Sequence, residues 1–544
     1  MQVAEVVGRT LAQLGVGHVF GVVGSGNFAM TNALRAAGVP FLAARHEGGA
    51  ASMADAFART SGLVSVLSVH QGPGLTNAVT GITEAAKSRT PMLVLAADVA
   101  ASAVRSNFRI DTGGLVAATG AVPERVHSAE SAVDDVVRAW RTARNTRRTV
   151  VLSVPLDVQA QSAEPRPVQP PPRPVPIRSG KYATKQLATL LNAAARPVFV
   201  AGRGAIPHRK VLRDLALRCG ALLATSAVAK GAFDGDPYDL GISGGFATPL
   251  AAELIADADL LVAWGCSLTM WTTRHGALIG PGTTVVQVDD DESALGVNQV
   301  ITLGVTGDVG ETAHALHHLV ALRDPESRYR RPEIQRRIAT EGRWIDIPIE
   351  DLSTADTIDP RVLSRDLDAR LPRDRVVAVD SGNFMGYPAA YLSVPDPSGF
   401  CFTQSFQSIG LGLASAIGAG LASPGRLPVL ATGDGGLLMA IAELETAVRL
   451  RLGLVIIVYN DHAYGAEVHH FGSGADLETV IFPDRDLAAI ARGFGADGIT
   501  VRGVAGLVGV SDWLAGARNR PLLIDAKISS DGGSWWLTEA FRGH

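Results

Sequence analysis

Gly433-Asp434-Gly435 and Asn460-Asp461 are the residues whose types and spacing most directly suggest chemistry. The triplet ends an apolar run, LPVLAT, and leads through Gly436 into a helix-compatible one, LLMAIAELETAVRL. The Asn-Asp pair ends LVIIVY, with 24 residues between the two motifs. A hard divalent cation takes oxygen ligands, and carboxyl groups on two adjacent strand ends would supply them. Backbone N–H groups at a glycine turn opening a helix would hold a diphosphate beside the ion. A lone G-D-G is an ordinary tight turn, and the paired strand-end setting is what distinguishes this one. Glu47 stands in R-H-E-G-G-A-A, where small neighbours favour close packing over a solvated helix face. A carboxyl so placed suits general acid/base work. His70 ends the run VSVLSV just before Gln71-Gly72-Pro73-Gly74-Leu75-Thr76-Asn77, a position where histidine serves structure as often as chemistry.

The elements that must position these residues are strands of parallel-sheet type. VFGVV, VSVLSVH, PMLVLAA and TVVLSVP are continuous apolar runs of strand length in the first 160 residues, separated by stretches long enough for crossover helices. PVFVAGRG, LLVAWG and TTVVQVDDD define a second such unit, with a helix near 209–219. RVVAVD, LPVLATGDGG and LVIIVYND define a third. The expected fold is therefore α/β, three doubly wound parallel-sheet domains. Residues 163–178 carry seven prolines and read as an extended linker. The expected divisions are 1–162, a Pro-rich linker 163–180, 181–325, a charged helix-compatible linker 326–354, and 355–544. In doubly wound sheets ligands gather at the carboxyl ends of the strands. Ser25-Gly26-Asn27-Phe28 and Ser381-Gly382-Asn383-Phe384 each follow a strand, an echo that points to related first and third domains.

Composition narrows the function classes. A net charge of −4 over 544 residues gives no electrostatic reason to expect nucleic acid or an anionic membrane surface as partner. Cys219, Cys266 and Cys401 form no C-x-x-C pair, which excludes a disulfide framework and a thiolate zinc site. MQVAEVVGRT lacks the layout of a signal peptide, and the longest charge-free run, 399–425, is too polar for a membrane span. The expectation is a cytoplasmic enzyme.

The motifs together resemble the thiamine-diphosphate-dependent enzymes of the acetolactate synthase, pyruvate decarboxylase and benzoylformate decarboxylase group. Their fingerprint is GDG, about 25 residues, then NN, and the resemblance extends over essentially the whole chain. It implies a pyrimidine-binding first domain, a central domain and a diphosphate-binding third domain, with thiamine diphosphate and Mg²⁺ as cofactors. Asp434, Asp461 and the carbonyl of Ala463 would ligate the metal. Glu47 would hydrogen-bond N1′ of the aminopyrimidine ring. Ile409 would be the apolar wedge under the cofactor, with the Gln407 carbonyl and the Ile409 amide facing the ring. Ser381, Gly382, Asn383, Gly433, Gly435 and Gly436 would line the diphosphate. Ser25 and His70 match substrate-side residues of benzoylformate decarboxylase, and Glu467 matches a proton-transfer glutamate of pyruvate decarboxylases.

The activity so implied is non-oxidative decarboxylation of a small-molecule 2-oxo acid. Protonation to an aldehyde follows, or ligation to a second carbonyl compound as in acetolactate synthase. A homodimer or homotetramer is implied, since the group builds its site between the first domain of one subunit and the third of another. The sequence also departs from its relatives. Asp461 stands where the fingerprint has its second Asn, and Phe108-Arg109-Ile110 where synthases carry Phe-Gln-Glu. Thr272 replaces the second histidine of benzoylformate decarboxylase, and the paired adjacent histidines of pyruvate decarboxylases are missing. His469 and His470 lie on the segment of Glu467. Gly202-Arg203-Gly204 is too weak a signal to expect FAD, and Asp289-Asp290-Asp291-Glu292 reads as a capped turn. Two alternatives stay open: a flavin-dependent 2-oxo acid oxidase on the same scaffold, and a catalytically silent cofactor-binding relative.

Overall fold

Eighteen strands form three separate sheets in the computed structural model, which describes residues 1–322, 324–530 and 534–540. The first sheet contains β1 (Val19–Gly21), β2 (Phe41–Ala43), β3 (Ser65–Val69), β4 (Met92–Asp98), β5 (Val122–Arg125) and β6 (Val150–Pro155). The second contains β7 (Pro197–Ala201), β8 (Leu222–Thr225), β9 (Asp239–Ile242), β10 (Leu260–Trp264), β11 (Thr284–Asp289) and β12 (Leu303–Thr306). The third contains β13 (Arg375–Val379), β14 (Phe400–Phe402), β15 (Leu427–Gly433), β16 (Val455–Asn460), β17 (Asp497–Val501) and β18 (Leu522–Lys527). Every named pairing is parallel, from β1 beside β2 to β17 beside β18. Helices cover both faces of each sheet, as the expected doubly wound architecture requires. The central strands are apolar throughout because both faces are buried. Edge strands are short or alternate in burial, as in β5, so a search for apolar runs passes over them.

Strand order explains the repeated Ser-Gly-Asn-Phe. The first sheet runs β2-β1-β3-β4-β6-β5 and the third β14-β13-β15-β16-β18-β17, the same order with every strand number raised by twelve. Ser25 follows β1 and Ser381 follows β13, at equivalent places. Order reverses between β1 and β3, and between β13 and β15, so both echoes flank a topological switch point.

The first and third units also share a core. The helices Glu47–Ser61 and Gly412–Ala422 pack between the two sheets, with Met53, Ala54, Ile417 and Leu430 in one continuous apolar cluster. They approach closely at Gly418, where an added Cβ would lie 2.8 Å from two backbone carbons of Met53. Only glycine permits that spacing.

The segments between units are tied down. Residues 163–180 carry no helix or strand, yet Pro171 accepts from Arg144 (2.9 Å) and Ile177 from the Asp308 amide (2.8 Å). The charged stretch holds a helix, Pro332–Glu341, and packs on the middle unit. Tyr329 is buried there and donates to the Leu254 carbonyl at 2.7 Å. Asp291 caps the turn after β11, and Arg89 and Arg147 pair with Asp291 and Asp290 from the first unit. No helix among the described residues is long and apolar enough to cross a membrane.

Candidate active site

β15 ends in Gly433, and Asp434 opens the helix Asp434–Met439, so the first free N–H groups of that helix emerge at the third sheet's switch point. A Cβ on Gly435 would lie 2.6 Å from the Tyr464 ring, and one on Gly436 2.7 Å from Asp380 Oδ2. These glycines let the backbone line a narrow cleft. Asp461 follows β16 and accepts from the Ala463 amide at 3.3 Å and from the Asn383 side chain. Burial raises Asp434 to about 7, and the charge of Asp461 pushes the same way. Asp461 is raised to about 6, chiefly by burial. Two acids this close in a poorly solvated place are costly without a cation.

Asp380, fully buried at the end of β13, ties the cofactor-side loops together. Its carboxylate accepts from the amides of Ser381 (2.8 Å) and Gly410 (3.1 Å) and from the Thr432 hydroxyl (3.1 Å). Ser381 donates to Gln404 Oε1 at 3.0 Å. Gln407 holds a left-handed backbone, φ 63°, just before half-buried Ile409. Asn383 is fixed through its carbonyl by the Trp536 indole (2.8 Å) and through its side chain by Ser534 (3.1 Å). Ser381, Gly382, Asn383, Gly433, Asp434, Gly435, Gly436, Asp461 and Ala463 therefore meet at one sheet end, with the Gln407–Ile409 loop pinned beside them.

Glu47, His70 and Ser25 gather instead at the carboxyl end of the first sheet. Glu47 opens its helix and accepts from Asn77 Nδ2 at 3.1 Å, while His46 caps the helix by accepting from the Gly48 amide (3.0 Å). The Gly26 amide donates to His70 Nδ1 at 3.1 Å, so a neutral ring carries its proton on Nε2. Phe108 meets the His70 ring edge-on, and Ser25 is exposed beside it. Glu467 lies on the helix Gly465–Phe471, whose first residue packs against Asn383, with a Cβ there 3.1 Å from Asn383 Nδ2. His469 and His470 share this helix. Thr272 is buried and hydrogen-bonds Thr269 at 3.3 Å.

Residues 1–121 match the N-terminal TPP binding domain of thiamine pyrophosphate enzymes, 184–316 their central domain and 380–526 their C-terminal TPP binding domain. The chain belongs to the thiamine pyrophosphate enzymes. It is 30% identical to the protein named probable 2-ketoarginine decarboxylase from Pseudomonas aeruginosa, over 90% of this chain and 87% of that one. It is 29% identical to sulfoacetaldehyde acetyltransferase from Castellaniella defragrans, covering 92% and 88%. To the large subunit of acetolactate synthase isozyme 2 from Escherichia coli it is 27% identical, covering 92% and 90%.

As a member of the thiamine pyrophosphate enzymes the chain carries both halves of the cofactor unit, and its residues fit that group. The amides at Asp434–Gly436 suit a diphosphate, and two buried polar atoms at the sheet ends, Gln71 Oε1 and Gln404 Nε2, have no hydrogen-bond partner among the described residues. Among the described residues no cluster of three or more His, Cys, Asp or Glu side chains could hold a metal alone. A cation between Asp434 and Asp461 would draw its remaining oxygens from the main chain and the diphosphate. Local sequence reasoning missed Asp380, Asn77, Tyr464 and Glu443, whose carboxylate accepts from the amides of Arg45 and His46 ahead of Glu47. Asp380 left a signal, a lone charge ending the apolar run VVAV, and Asn77 ends the quoted glycine turn. Tyr464 and Glu443 left none.

Proposed function

We propose that this enzyme decarboxylates a 2-oxo acid without oxidation, using thiamine diphosphate and Mg²⁺, and either protonates the product or ligates it to a second carbonyl. The observation that carries this reading is the close pair of buried Asp434 and half-buried Asp461 beside glycine-lined strand ends at the switch point of the third sheet. Bound thiamine diphosphate supplies a thiazolium carbon nucleophile and an electron sink.

Asp434, Asp461 and the Ala463 carbonyl would hold the metal, and the amides of Gly435 and Gly436 would hold the diphosphate. Ile409 would be the apolar wedge under the cofactor, and Gln407, Ser381, Gly382 and Asn383 would complete its cradle. Glu47 would offer its carboxyl group to N1′ of the aminopyrimidine as the proton-exchanging group, with Asn77 aiming it. His70 presents Nε2–H to the substrate, and Ser25 faces the substrate carboxylate. Glu467, with His70, would carry the proton transfers of either branch. Glu47 serves the cofactor of a partner subunit in a homodimer or dimer of dimers. Relatives named for decarboxylation, for acetolactate synthesis and for acetyl transfer support both fates of the decarboxylated unit.

The test is CO₂ release and product analysis with a panel of aliphatic and aromatic 2-oxo acids, with Mg²⁺ and thiamine diphosphate present. Aldehyde products assign a decarboxylase and acetolactate from pyruvate assigns a synthase. No CO₂ from any acid, with cofactor bound, would overturn the proposal.

A further inference from the structure

Two buried carboxylates cross between the first and third units in opposite directions. Glu443 of the third unit is 2% exposed and accepts from the main-chain amides of Arg45 (3.1 Å) and His46 (3.0 Å), the two residues before Glu47. Thr446 completes it at 2.7 Å, and Gly49 packs on it so closely that a Cβ would lie 2.8 Å from its carboxyl carbon. Glu84 of the first unit is 1% exposed and accepts from the amides of Ser405 (3.2 Å) and Phe406 (2.6 Å), just before Gln407. Arg59 (2.8 Å) and Ser88 (3.1 Å) hold it in place, and the Ser88 and Ser405 hydroxyls hydrogen-bond each other at 2.6 Å.

Main-chain amides gripped by a buried carboxylate are held more rigidly than by a neutral partner, because charge-assisted bonds are roughly twice as strong. The Glu47 loop and the Gln407–Ile409 loop are thus each anchored by the opposite unit. We propose that Glu443 and Glu84 are positioning residues, Glu443 setting the carboxyl of Glu47 and Glu84 setting the loop that cradles the aminopyrimidine. The inference rests on the cofactor roles proposed above for Glu47, Gln407 and Ile409.

Glu443→Ala releases both amides ahead of Glu47. A misplacement of about 1 Å costs roughly 10²-fold in catalysis. The variant is therefore expected to exchange the C2 proton of bound thiamine diphosphate about 10²-fold more slowly, at saturating cofactor and with unchanged affinity. Glu443→Gln keeps one oxygen facing both amides and can donate to Thr446, so it restores exchange to within about fivefold. Glu84→Gln sets an NH₂ group against either the Phe406 amide or Arg59 in both orientations. It is expected to weaken thiamine diphosphate about tenfold while inorganic diphosphate with Mg²⁺ competes as before, since losing a charge-assisted bond costs about that much. Glu84→Asp retains the charge near Arg59, withdraws it from the loop, and should give the same selective loss.

Equal weakening of thiamine diphosphate and inorganic diphosphate in both Glu84 variants would refute the Glu84 role. Normal exchange in Glu443→Ala, or no recovery in Glu443→Gln, would refute the Glu443 role. Glu47→Ala separates the two levels. Normal exchange in that variant refutes the functional reading itself, whereas abolished exchange there with normal exchange in Glu443→Ala refutes only this inference.

Discussion

Gly418→Ala pits two opposed effects against each other. Alanine favours a helix interior over glycine by about 1 kcal/mol, which alone would stabilise the helix Gly412–Ala422. Against this, the new methyl would collide with the Met53 carbonyl group, with two backbone carbons at 2.8 Å. The obstacle is backbone, so no rotamer change relieves it, and the helices must part. Overpacking of this kind costs about 3 kcal/mol at the upper end of its range. The net loss is then about 2 kcal/mol, or a fall of roughly 4–8 °C in the melting midpoint for domains of this size. The partner helix begins at Glu47, so turnover should fall together with thermal stability. Differential scanning calorimetry with a steady-state assay reads both. Gly425→Ala is the matched control, because nothing lies within 4 Å of a Cβ there, and it should change stability by less than about 0.5 kcal/mol. A Gly418→Ala protein as stable and active as the parent would refute the steric argument.

Three further outcomes are expected. Asp461→Asn removes one of two paired acids while keeping an oxygen ligand, so half-saturating Mg²⁺ should rise about tenfold with kcat largely retained; an unchanged Mg²⁺ titration would count against a metal at this pair. His70→Ala should lower kcat by about 10²–10⁴-fold and leave C2 proton exchange of the bound cofactor intact, whereas loss of both would show that His70 supports the cofactor instead. Burial raises Asp380 to about 6 from an ordinary 3.8, so the folded state binds the extra proton between those values and stability falls as pH rises through them. The deficit above pH 6 is about 3 kcal/mol, and non-titrating Asp380→Asn should gain that much relative to the parent between pH 4 and 7. A pH-independent difference in their unfolding midpoints would reject it.

What the sequence makes legible is local. β15 and β16 are read correctly because a strand buried on both faces must be apolar throughout, and their ends expose the Gly433–Gly435 and Asn460–Asp461 motifs. Short edge strands such as β2 and β14 carry no such mark, being three residues each. The supports of the site are hidden for a different reason. Glu443 meets Arg45 across 398 residues of chain, and no spacing rule links positions so far apart. The repeated Ser-Gly-Asn-Phe was suggestive in sequence and became informative once β1 and β13 occupied the same place in identically ordered sheets.

The seam between the helices Glu47–Ser61 and Gly412–Ala422 also constrains how the chain is made. Met53 must wait for Gly418, 365 residues later, before its face of the core is covered. Counted from the end of the first unit at residue 162, at about 5–20 residues per second of synthesis, its apolar helix face stands open to water for roughly 10–50 s. A fragment ending before residue 412 would keep that face exposed permanently.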